Sequence, residues 1–128
     1  MRLLLDTHAF LWWDSSPDQV SATALAAISD PTNDLLLSAA SVWEIVIKTQ
    51  LGKLRLTMPL AEKIGSHLTA NRLNILPVRL EHVLRLQGLA ALHKDPFDRL
   101  LVAQALVESA TVITRDAEIR KYPVLTLW

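Results

Sequence analysis

At 128 residues, 51% apolar and 20% charged, the chain has the size and balance of one folded domain and is far too hydrophobic to be disordered. Thirteen acids and thirteen bases cancel, which removes any global electrostatic argument for nucleic acid and leaves only local patches to provide one. The absence of cysteine excludes disulfides and thiolate metal sites and fits a reducing cytoplasm.

Leu3-Leu4-Leu5 is a short apolar run ending in Asp6-Thr7, and predicts a buried strand feeding a helix through Phe10-Leu11-Trp12-Trp13. Asp6 interrupts the leucines too early for a signal peptide, and no uncharged apolar run approaches the ~20 residues that span a bilayer. The expectation is therefore a soluble, cytoplasmic protein. Asp14-Ser15-Ser16-Pro17 is a breaker cluster, and the alanine-rich stretch from Ser21 to Ile28 predicts a helix closed by Asp30-Pro31-Thr32-Asn33. Leu35-Leu36-Leu37 predicts a second strand and opens into a helix from Ala39 to Gln50, stopped by Gly52. Pro59 begins a helix to about Asn71, a weak third strand lies near Ile75-Leu76, and a helix is expected from Leu80 to about Leu92. Asp95-Pro96 starts the longest helix, ending near Ser109, and its run from Leu100 to Val107 is apolar nearly all round, as a buried helix would be. Thr111-Val112-Ile113 is a β-branched strand followed by Thr114-Arg115-Asp116 and a short helix, and Val124-Leu125-Thr126 is expected as the last strand.

Short, continuously apolar strands alternating with helices predict βαβ units. The fold class is α/β: a three-layer α/β/α sandwich with a mostly parallel sheet of about four to five strands. No repeat, linker or low-complexity segment divides the chain, so residues 1–128 are expected to form a single domain.

Asp6, Glu44, Asp98 and Asp116 are the candidate functional acids. Each has a plain local explanation. Asp6 and Asp116 could cap the helices that follow them. Ser41-Val42-Trp43-Glu44 matches a capping box, and Glu44 could pair with Lys48 one turn on. Asp95-Pro96-Phe97-Asp98 reads as an N-cap, a proline at the first helical position and an acid three residues after the cap. Their shared position argues for more. In a parallel α/β sheet, strand C-termini and helix N-termini lie along one edge, where ligands bind. Four carboxylates gathered there repel one another, and helix dipoles relieve only part of that repulsion. A divalent cation relieves more, and oxygen-only ligands suit Mg²⁺ or Mn²⁺. That is the chemistry of metal-assisted phosphodiester hydrolysis.

Lys48, Arg99 and Arg115 lie beside these acids in sequence and could offset phosphate charge, or could be solvated charges and ion-pair partners. His8 reads as a histidine at a helix start making an ordinary hydrogen bond. Trp12, Trp13, Trp43 and Trp128 could stack on bases, but three of them lie in apolar helical stretches, which favours packing in the core or at an interface.

The segments Leu3-Leu4-Leu5-Asp6-Thr7-His8, Ser38-Ala39-Ala40-Ser41-Val42-Trp43-Glu44-Ile45, Asp95-Pro96-Phe97-Asp98-Arg99-Leu100-Leu101-Val102-Ala103-Gln104-Ala105 and Thr111-Val112-Ile113-Thr114-Arg115-Asp116 together resemble the PIN domain, and within it the VapC-like toxins of toxin–antitoxin pairs. Any one block is weak evidence; four in the family's order, spanning the chain, are strong. The resemblance implies that Asp6 and Asp98 are the principal metal ligands, with Glu44 and Asp116 completing the cluster, partly through water. It implies Thr7, Ser41 and Thr114 as hydrogen-bonding groups beside them, and Asp95 as a helix cap with at most a supporting role. It further implies an Mg²⁺- or Mn²⁺-dependent endoribonuclease, a homodimer, an RNA substrate and a cognate antitoxin that covers the active site.

Two other readings share these residues. One is a catalytically silent PIN-like interaction module that keeps its acids as caps; the other is a housekeeping nuclease of the same chemistry. A different Mg²⁺-dependent phosphotransfer enzyme is disfavoured, because Gly52, Gly65 and Gly88 are scattered and form no phosphate-binding loop.

Overall fold

A computed structural model describes residues 1–128. Five strands form one sheet: β1 (Arg2–Leu5), β2 (Asp34–Ser38), β3 (Leu73–Leu76), β4 (Thr111–Ile113) and β5 (Thr126–Leu127). Their order across the sheet is β3-β2-β1-β4-β5, and all four pairings are parallel. Six α-helices accompany them: α1 (Thr7–Ser15), α2 (Ala22–Ser29), α3 (Ala39–Gln50), α4 (Leu60–Ala70), α5 (Leu80–Arg85) and α6 (Pro96–Glu108).

The leucine triplets explain why the sheet lies in the middle. In β1, Leu3 and Leu5 point into one core with Phe10 of α1, Ala24 and Ile28 of α2 and Ile45 of α3. Leu4 points the other way, into a core with Leu101, Val102 and Ala105 of α6. All three leucines are fully buried, which stabilises the fold by roughly 1.5–3 kcal/mol for each side chain. Apolar residues on both faces of a strand require cover on both sides, and the expected three-layer sandwich is what forms. No helix is long and apolar enough to cross a membrane.

The strand order also places the site. After β1 the chain builds outward through β2 and β3, then returns to lay β4 on the other flank of β1. The C-terminal ends of β1 and β4 therefore meet where the winding reverses, the position at which parallel α/β sheets open a crevice. Leu5 pairs with Ile113 at that end, so Asp6 and Thr114 emerge side by side.

Several boundaries differ from expectation. The helix expected from Leu80 to Leu92 stops at Arg85, tightens into a 3-10 turn over Leu86–Gly88 and continues extended. Leu89 leaves the helical path to enter the α6-side core, where it is 8% exposed, and its carbonyl accepts from Arg99 Nη2 at 3.1 Å. The short helix expected after Asp116 is a turn followed by a 3-10 segment, Ile119–Lys121. The last strand is Thr126–Leu127, because register with Val112 and Ile113 selects those residues over Val124 and Leu125. Gly52 does close α3, at φ +72°, where an L side chain would be strained.

Candidate metal-dependent active site

Asp6 leaves β1 as the N-cap of α1. Its Oδ1 accepts from the Ala9 amide at 2.6 Å, which leaves the second oxygen for another partner. Glu44 lies inside α3 rather than in a capping box. The N-cap of that helix is Ser38, whose Oγ accepts from the Ala40 amide, so Ser41 is already in the first turn. Glu44 is buried and held by two partners: Thr7 Oγ1 donates to Oε1 at 2.7 Å, and Lys48 Nζ stands 3.1 Å from Oε2. Asp95 is the cap of α6, accepting from the Phe97 and Asp98 amides, with Pro96 at the first helical position. That leaves the Asp98 carboxyl free of cap duty. Asp116 accepts from the Glu118 amide, while its own amide donates to Thr114 Oγ1.

The fold links the four acids pairwise: Asp6 neighbours Asp116, Asp116 neighbours Asp98, and Asp98 lies within the field of Glu44. Asp6 and Asp116 line one cavity of about 250 Å³ with His8, Trp12 and Arg115. Carboxylate oxygens of Asp98 and Asp116 lie within 4.8 Å of each other and of a His93 ring nitrogen. Asp98 feels the charges of Asp95 and Glu44, and Asp6 feels that of Asp116. A second depression of about 270 Å³, around Trp13, Asn71 and Arg72, contains no carboxylate and has no part in this chemistry.

Burial and crowding penalise the ionised acids. Burial, followed by the Asp95 charge, pushes Asp98 up to about 6 against the pull of the His93 hydrogen bond. Burial also raises Asp6, opposed by the Thr114 hydroxyl, the Ala9 amide and His8. The site's buried and part-buried carboxylates, of which only Glu44 has a lysine partner, are a donor set that fits a hard divalent cation.

His93 escapes the sequence reading altogether. It lies in the extended segment that replaces the second half of the expected helix, and its amide donates to the Tyr122 hydroxyl at 2.9 Å. Nδ1 accepts from the Lys94 amide, which leaves the proton on Nε2, 2.8 Å from Asp98 Oδ2. A histidine five residues before Asp98 was the available signal, but the helical period assigned from Leu80 to Leu92 ended just short of it.

The remaining candidates divide. Thr114 is fully buried with its hydroxyl against Asp6, and Thr7 Oγ1 donates to Glu44. Ser41 is buried on α3, one turn before Glu44. Lys48 pairs with Glu44. Arg115 is exposed, forms no ion pair within the chain, and lays its guanidinium over Trp12 at 4.5 Å from the ring centroid. Arg99 is engaged differently from the expected phosphate contact: it braces the Leu89 carbonyl, with its Nε buried and unpartnered. His8 is exposed beside the Trp12 ring. Trp12, Trp13 and Trp128 pack against the core as expected, but Trp43 does not. Trp43 is 62% exposed and meets Phe97 edge to face at 5.3 Å.

The profile of the PIN domain matches residues 3–125, nearly the whole chain. The chain belongs to the PIN-domain family. It is similar to ribonuclease VapC22 of Mycobacterium tuberculosis (strain ATCC 25618 / H37Rv), with 26% identity over 133 aligned positions covering 98% of each chain. The PIN fold of the chain also matches solved structures. In VapBC2 from Rickettsia felis, bound to a promoter DNA fragment, the matched chain has a TM-score of 0.75 at 17% identity, covering 99% of this chain and 98% of that one. VapBC-1 from nontypeable Haemophilus influenzae matches with a TM-score of 0.66 at 19% identity, over 99% and 97% of the two chains. FitAcB from Neisseria gonorrhoeae gives 0.61 at 20% identity, over 98% and 96%.

Proposed function

We propose that residues 1–128 act as one PIN-type domain, a metal-dependent endoribonuclease that serves as the toxin of a toxin–antitoxin pair. The observation that carries this reading is the grouping of Asp98 and Asp116 with His93, and of Asp6 with Asp116 along one cavity, in a chain of the PIN family. Support for ribonuclease activity comes from the end-to-end similarity to a named ribonuclease, and support for an antitoxin partner from the VapBC complexes of similar fold.

Asp6, Asp98 and Asp116, with Glu44 beside them, would hold Mg²⁺ or Mn²⁺. Such an ion, when bound, supplies charge to the scissile phosphate and acidifies an attacking water. The protein's own groups position the site. Thr7 fixes one oxygen of Glu44 and Lys48 partly neutralises the other, while His93 holds one oxygen of Asp98. Arg115, exposed and preoriented on Trp12, supplies a cation for a phosphate at the cavity mouth. The same reading makes the protein cytoplasmic and homodimeric, with an antitoxin covering the acids.

The test is RNA cleavage by the purified protein with Mg²⁺, with Mn²⁺ and with chelator, beside Asp6→Asn. Metal-dependent cutting that vanishes in the variant is the expected result. No cutting, together with no metal-induced shift in melting temperature, would move the assignment to a silent interaction module.

A further inference from the structure

Trp43 is the only aromatic among the strongly exposed large apolar side chains. Its surroundings are specific. It is the sequence neighbour of Glu44 on α3, and the ring it touches belongs to Phe97, the sequence neighbour of Asp98 on α6. The two helices that bring Glu44 and Asp98 into electrostatic reach therefore also bring these two rings together, at the margin of the acid cluster. Edge-to-face contact with Phe97 orients the indole while most of its surface stays open to solvent.

We propose that the Trp43–Phe97 pair is a base-stacking platform for an unpaired nucleotide next to the scissile phosphate of the RNA that the proposed nuclease would cut. The charge balance favours this occupant. A chain with 13 acids and 13 bases has no net positive charge with which to attract a duplex backbone. Affinity for RNA must then come from contacts that do not depend on net charge, and stacking of a base on an aromatic ring is one, available only where the base is unpaired. Arg115 on Trp12, beside Asp6 and Asp116, gives the strand a phosphate contact elsewhere along the same cluster. Aliphatic side chains such as Leu80, Val83 and Leu84 are exposed on α5, and that helix offers a protein partner more apolar surface than one indole does.

The test is anisotropy of a labelled 12-nucleotide single strand and of the matching duplex, measured in chelator with wild type, Trp43→Ala and Trp43→Phe. Trp43→Ala is expected to bind the single strand about ten-fold more weakly, Trp43→Phe to recover most of the loss, and duplex binding to stay unchanged. With Mn²⁺, KM for the single strand should rise in Trp43→Ala while kcat at saturation is retained. Equal single-strand affinity in all three proteins would overturn the platform, as would unchanged affinity accompanied by loss of a homodimer or of antitoxin binding in Trp43→Ala. The inference rests on the nuclease reading, and the two fail separately. Cleavage by wild type with no stacking effect removes only the platform; a stacking effect in a protein that cuts nothing removes only the nuclease.

Discussion

Asp98→Asn removes a charge that the native protein disfavours, so in the absence of metal it should stabilise the fold. The Asp98 carboxyl ionises at 3.8 in an ordinary setting and at about 6 in the native site, through burial and the Asp95 charge. Between those values the native state keeps a proton that the unfolded chain has released. Asp98 therefore favours folding fully below about pH 4, and the contribution is lost as pH rises through 6. The gap corresponds to roughly 3 kcal/mol, which solvent screening of a part-exposed side chain reduces to ~1–2 kcal/mol. In a domain of this size that is a melting shift of roughly 4–8 °C. Thermal unfolding followed by circular dichroism, in chelator, should place Asp98→Asn above wild type at pH 8, with the gap closing towards pH 4. Saturating Mn²⁺ should raise wild type above the variant, because a ligand of the native state stabilises it. A variant that melts lower than wild type at pH 8 would refute the reasoning and make the charge in the first turn of α6 a stabilising one. A gap of the same size at both pH values would refute it as well.

Asp6 serves two roles that substitution can separate. Asp6→Asn keeps the cap on Ala9 and removes a charge that burial penalises, so without metal it should melt no lower than wild type; Asp6→Ala should be about 1 kcal/mol less stable than Asp6→Asn, and both should abolish metal-dependent cleavage. His93→Leu removes the donor on Asp98 and should weaken Mn²⁺ binding by roughly ten-fold in calorimetry, with His93→Gln closer to wild type because an amide can still donate. Lys63 is buried with its Nζ 2.7 Å from Asp14, so Lys63→Met should cost roughly 3 kcal/mol in urea unfolding at pH 7. Burial alone would raise Asp14, but bonds from Lys63, Ser15 and His67 leave it lowered, so its contribution to stability is present above 3.8 and lost as pH falls through its native value. The cost of Lys63→Met should accordingly shrink in acid, and an unchanged cost at pH 3 would contradict this account.

The sheet was legible because its physics is local. Leu3-Leu4-Leu5 and Leu35-Leu36-Leu37 leave no polar face, so only a strand covered on both sides accommodates them, and the pairing of Leu3 with Leu35 follows. The acids were legible as a group because strand ends and helix starts share an edge. What escaped depends on contacts distant in sequence. Nothing near His93 announces that Tyr122 will hold its amide and Lys94 its ring, and the leucines from 84 to 92 carry a helical period that the burial of Leu89 overrides. Trp43 reads as an interior residue by type, yet its direction depends on where α3 begins. Once Ser38 rather than Ser41 caps that helix, Glu44 faces the site and Trp43, one residue round, faces solvent.

Capping and ligation looked like alternatives in the sequence, and the geometry makes them compatible. Asp6 uses one oxygen on the Ala9 amide, and Asp116 uses one on the Glu118 amide. A carboxylate has two oxygens, so each retains one for a cation while the backbone bond fixes its direction. At Asp98 the division is different: Asp95 takes the cap and His93 supplies the orienting bond. In each case a hydrogen bond from the protein fixes the carboxylate, with the Thr114 hydroxyl as a further partner at Asp6, and like charges stand beside it. Capping alone would favour well-separated acids, since each cap is satisfied by its own helix. Burial first, and neighbouring acids after it, raise the pKa values of Asp98 and Asp6, and a cation is the partner that would relieve that cost.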